Sequence, residues 1–137
     1  MVNQRLFRSA SICGLIHFLA IIEYWNEPFI LLVVYGVGVG TSVWNHSVTL
    51  EYAKWADRIL MFIGALMDLF CILAYTKGLQ QFTSLLMLGC AVSLYFLEKL
   101  RIRSVPQDFF HQSAHYLITI SHLFLLHFLN ESVQEIV

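Results

Sequence analysis

Residues 57–76 read DRILMFIGALMDLFCILAYT, twenty positions of which only Asp57, Arg58 and Asp68 carry charge at neutral pH. About 20 apolar residues of helix cross the roughly 30 Å hydrocarbon core of a bilayer. This run therefore reads as a transmembrane helix with a carboxyl group, Asp68, near its middle. Four further runs have the same character, at approximately 6–25, 28–48, 80–98 and 109–129. The first is the weakest, since its clean apolar core runs from Ser9 to Ile22 and Arg8 must snorkel to the interface. A cleaved signal peptide is the rival reading of that run. It is set aside because Glu23-Tyr-Trp-Asn follows in place of a small-residue cleavage site.

Composition agrees. The chain has 137 residues, 58% hydrophobic and only 12% charged, with a mean hydropathy of +0.70, where soluble domains carry about 25% charged residues. A soluble fold of this size could not hide so much apolar surface. The expectation is an all-α, polytopic bundle of about five transmembrane helices, residues 1–137 forming one domain with the lipid bilayer as its solvent. A net charge of -1 offers no basic surface for nucleic acid. Cys13, Cys71 and Cys90 lie within apolar runs and read as small buried hydrophobes, not as a disulfide framework or zinc knuckle.

Connections are short, with Pro28 suited to a helix first turn and Gly78 to a helix end. Gly36 and Gly40 form a G-x-x-x-G pair with Gly38 between them, which reads as close helix packing in lipid. A phosphate loop is excluded, because no strand precedes it. Five crossings place Arg5, Arg8, Lys54, Arg58, Lys99, Arg101 and Arg103 on one side and Lys77 alone on the other. The positive-inside rule then puts the N-terminus in the cytoplasm and the C-terminus outside or in a lumen. Trp44 and Trp55 fall near the inner interface, and Tyr24, Trp25 and Tyr75 near the outer one. Of the two N-x-S sequons, Asn45 faces the cytosolic leaflet, and Asn130 lies close to the far membrane surface.

Immediately upstream of the opening run, residues 40–57 read GTSVWNHSVTLEYAKWAD. Ser42 and His46 are four apart and share a helix face; so do His111 and His115 at the start of the fifth run. With Asp57, all five fall in the cytoplasmic leaflet. Three neutral imidazoles that leave one position open make a catalytic zinc site. A nearby carboxylate can move a proton and a hydroxyl can orient a ligand or steady an oxyanion. The bland reading of each histidine alone is an interfacial ring bonded to backbone or headgroups. Their co-location with Asp57 and Ser42 favours the metal site.

Ser42-x3-His46-x10-Asp57, followed by His111-x3-His115 within FHQSAHYLIT, resembles the motif set of the alkaline ceramidase family. Gly40, Tyr52 and Met61 agree with that pattern. The family belongs to a wider membrane-hydrolase superfamily that includes progestin/adiponectin receptors and haemolysin III proteins. The resemblance implies zinc on His46, His111 and His115, proton handling by Asp57, and Ser42 beside the metal. It further implies hydrolysis of a lipid amide, with a ceramide-like membrane lipid as substrate. The usual member has seven helices, so five crossings would be a shortened form, and Met1 to Arg8 contains none of the calcium-binding carboxylates of animal ceramidases.

Other readings stay open. A non-enzymatic or receptor-like membrane protein could keep the metal, and a small haem protein could use paired histidines, although two histidines on one helix suit zinc better. His17, His122 and His127 lie deeper and read as packing or chamber residues. Asp68, about three turns from Asp57 on the same face, is either functional or a protonated structural group bonded to His17 or His122. Lys99, Arg101 and Arg103 read as topogenic charges.

Overall fold

A computed structural model of the chain describes residues 3–25, 29–100, 105–106 and 108–134. All regular structure among them is helical: α1 (Gln4–Glu23), α2 (Phe29–Ser47), α3 (Glu51–Tyr75), α4 (Gly78–Lys99) and α5 (Phe109–Gln134). Three of these, α1, α3 and α4, are long and apolar enough to cross a membrane. Pro28, Arg101 and Arg103 lie outside the described residues.

The helix ends fall close to the hydropathy boundaries with two exceptions: α5 runs on to Gln134, five residues past 129, and the start of α3 differs. α3 begins at Glu51 instead of near 57. Hydropathy stops at the interface, but helical hydrogen bonding does not. The polar turn is supported by an exposed Lys54–Glu51 pair at 2.5 Å and by Arg58 stacked 5.5 Å over Trp55. Gly78 opens α4 in the left-handed region, φ +55°, where an L side chain is strained.

The helices close into a ring. α1 packs on α2 and α5, α2 on α3, α3 on α4 and α4 on α5, and α5 also touches α3 across the interior. Large apolar side chains cover much of the outer surface. On α1 the buried positions are Leu6, Ser9, Ala10, Cys13, His17 and Ala20, while Leu15, Phe18 and Ile22 are exposed. On α3, Ile59, Phe62, Leu66, Phe70 and Leu73 form an exposed large-apolar stripe. Small and polar residues thus take much of the α1 interface, where they allow close approach and hydrogen bonding, while Leu31, Leu32, Ile72, Leu125, Leu126 and Leu129 form a buried apolar core elsewhere in the bundle.

The close approach is not at the expected glycines. A side chain at Gly40 or Gly38 would meet open space, and one at Gly36 only the tip of Ile21 at 3.4 Å. At Gly14 a Cβ would stand 3.1 Å from Val39 Cγ1, so α1 and α2 are tightest there. The G-x-x-x-G reading fails because α2 turns Gly38 toward a cavity and leaves Gly40 exposed. Cys13 and Cys71 are buried as expected, but Cys90 is exposed on the outer face of α4.

Candidate metal centre

His46 sits near the C-terminal end of α2, and His111 and His115 occupy the first two turns of α5. The backbones of α2 and α5 stand apart; side chains bridge the gap between them, the imidazoles here and Tyr35 with His122 deeper in the bundle. Ring centroids are 4.8 Å apart for His111 and His115, 5.2 Å for His46 and His111, and 5.3 Å for His46 and His115. One potential ligand atom from each lies within 4.8 Å of the others. Two zinc ligands at about 2.0–2.1 Å from the metal must lie near 3.4 Å from each other in a tetrahedron, so small rotamer shifts bring the three nitrogens to a common ion. His46 Nε2 is buried and has no hydrogen-bond partner among the described residues. A buried ring nitrogen without a partner is costly unless a ligand takes it. The donor set fits zinc.

Polar partners orient this trio. Ser9, on α1, donates its hydroxyl proton to the Leu6 carbonyl at 3.0 Å. Its oxygen therefore accepts from His115 Nδ1–H at 2.9 Å, which leaves the lone pair of His115 on Nε2. Such a bond fixes the tautomer and the ring plane of a metal-binding histidine. His111 is set by the start of α5, where the Glu98 carboxylate of α4 accepts from the backbone N–H of Asp108 at 3.3 Å and of His111 at 3.4 Å. Asp108 itself adopts φ +66° and accepts from Asn3 Nδ2 at 2.7 Å, which ties the first turn of α1 to that of α5.

Asp57, in the second turn of α3, accepts from Asn45 Nδ2 at 2.8 Å, and the Ser42 hydroxyl lies beside the same carboxylate. Two cavities meet here. One, of about 240 Å³, is mostly apolar and runs down the bundle past Val39, Met61, Phe62 and Val92; Ser42, Asp57, His111 and His115 form its upper wall. The other, of about 420 Å³, opens among Asn3, Asn45, Thr49, Lys54 and Arg58, with His46, Asp57 and His111 in its wall. Asp57 and His111 thus stand between an apolar chamber and a polar vestibule.

All five residues singled out from the sequence meet at this junction. Sequence reasoning missed Ser9, Asn45 and Glu98. Asn45 adjoins His46 and was considered only as a sequon; Ser9 gave no signal beyond being a hydroxyl in an apolar run. The deeper residues form a second cluster at the floor of the apolar chamber. Tyr35 Oη donates to Asp68 Oδ1 at 2.5 Å, His122 Nε2 lies 2.9 Å from Asp68 Oδ2, His17 Nε2 lies 2.8 Å from His122 Nδ1, and His17 Nδ1 lies 2.8 Å from the Cys13 carbonyl. Tyr35 stacks on His122 with centroids 3.8 Å apart. His127 belongs to neither cluster; it is half-exposed and pairs with Glu131 at 3.3 Å. Comparison of the chain with protein-family models, with curated proteins and with solved structures finds no match.

Proposed function

We propose that the chain is an integral-membrane, zinc-dependent hydrolase acting on an amide-linked lipid, ceramide-like in chemistry, at the cytoplasmic leaflet. The observation that carries this reading is the convergence of His46, His111 and His115, with a partnerless His46 Nε2, at the junction of an apolar and a polar cavity. The motif resemblance to the alkaline ceramidase family points the same way. In this reading all five helices cross, with the N-terminus cytoplasmic, because α2 and α5 are embedded in one ring with three helices of membrane-spanning character.

His46, His111 and His115 would hold the zinc. When bound, zinc supplies Lewis-acid polarisation and makes a water acidic enough to lose a proton near neutral pH. The chain's own residues do the rest. The apolar chamber takes the acyl chain and the vestibule takes the headgroup, so the amide rests beside Asp57. Asp57 accepts a proton from the attacking water and returns it to the departing amine. Asn45 pins one carboxylate oxygen so that the other faces the reacting atoms. Ser42 steadies the oxyanion or the water, a smaller contribution.

The test is metal analysis of the purified chain together with fatty-acid release from ceramide, other amide lipids and ester lipids. Stoichiometric zinc with release that His111→Ala abolishes supports the reading. Full zinc with no release from any of these lipids sinks the hydrolase and leaves a structural metal. Topology is checked separately with a long tag beyond Val137: protease access from the cytosolic side alone would overturn the orientation.

A further inference from the structure

The deep cluster rests on hydrogen bonds whose direction can be worked out from one end. The Cys13 carbonyl can only accept, so His17 Nδ1 carries a proton. The 2.8 Å contact between His17 Nε2 and His122 Nδ1 needs one proton between two nitrogens. The 2.9 Å contact between His122 Nε2 and Asp68 Oδ2 needs another. Tyr35 supplies its own to Asp68 Oδ1. Asp68, His122 and His17 therefore share three protons. An ionised aspartate with two neutral imidazoles would hold two, and one contact below 3 Å would then face lone pair against lone pair.

We propose that Asp68, His122 and His17 form a proton-sharing relay that carries one extra, mobile proton at the floor of the apolar chamber. Three arrangements keep every heavy-atom contact. In the first, Asp68 is a carboxylic acid donating to His122 Nε2, and both rings are neutral. When that proton crosses to His122 Nε2, Asp68 is a carboxylate beside an imidazolium. When His122 then passes its Nδ1 proton to His17 Nε2, the positive charge sits on His17 and His122 is neutral again. The cluster is uncharged as a whole in all three, as a site in lipid surroundings requires. Asp68, His122 and His17 all line the chamber. His122 stands eleven residues from His111 and seven from His115, which puts the relay roughly 10–16 Å below the metal centre along the helix. It does not depend on the hydrolase reading.

The test uses the full chain in lipid nanodiscs with carboxyl-labelled aspartate read by infrared spectroscopy and nitrogen-labelled histidine read by magnetic resonance at neutral pH. Asp68→Asn identifies the signals, since an amide can still donate to His122 and accept from Tyr35. If that variant fails to fold, His17→Gln and His122→Gln identify the ring signals in its place. Carboxylic-acid signal from Asp68 and imidazolium signal from the two rings, together amounting to one proton, are the expected result; in Asp68→Asn both disappear and the rings become neutral. A fully ionised Asp68 beside two neutral rings overturns the extra proton. A proton confined to Asp68, with no imidazolium character in either ring, overturns the sharing.

Discussion

The bundle holds two clusters built from the same residue types, histidine and aspartate; both draw on α3 and α5, the upper adding His46 of α2 and the lower His17 of α1, and they are finished differently. In the upper one a buried ring nitrogen, His46 Nε2, has no partner among the described residues, and three imidazoles face one another. In the lower one every ring nitrogen of His17 and His122 is engaged, and each Asp68 oxygen accepts or shares a proton. In the proposed reading the upper rings, which make no hydrogen bond to one another, are held for a metal the chain does not itself supply. Rings joined in series have only protons left to exchange. Composition does not separate the two clusters; satisfaction does.

The largest expected effect tests that distinction directly. His46→Ala/His115→Ala should reduce zinc from about one per chain to a trace, whereas His17→Ala/His122→Ala should leave the metal in place. Equal loss from both would mean that the clusters are not independent. Next, Asp57→Asn should lower turnover by roughly 10²–10⁴-fold at unchanged zinc, and Ser42→Ala by less. A larger loss from Ser42→Ala at equal zinc would reverse the two roles. Ser9→Ala comes third. It removes the acceptor that orients His115 but no ligand, so zinc affinity should fall roughly 10–100-fold, read by competition against a chelator. The smallest effect belongs to the satisfied cluster. Tyr35→Phe deletes one hydrogen bond to Asp68 and should cost about 0.6 kcal/mol and at most about 1.7 kcal/mol, measured by unfolding in detergent with zinc content unaltered. A collapse of metal binding in that variant would show that the lower cluster supports the upper one.

Much of this was readable along the chain, and for a local reason. Hydropathy and helical periodicity act over a few turns, so the five helices, their approximate ends and the shared faces of Ser42 with His46 and of His111 with His115 follow from spacing alone. Five crossings, as proposed, would then assign all five site residues to one leaflet. What spacing cannot supply is the rotation of each helix about its own axis, which is set by partners far away in sequence. Asp68 could have bonded either deep histidine; it bonds His122, 54 positions on, and His17 enters only through His122, 105 positions from its own. The Ser9–His115 bond spans 106 positions. The same rotation moved the tight α1–α2 contact to Gly14, turned Gly38 into the chamber and Cys90 outward. Sequence determined which residues share a face and a depth. Only the closed ring of helices decided which face met which, because the hydrogen bonds that fix each helix's rotation join residues 54 to 106 positions apart.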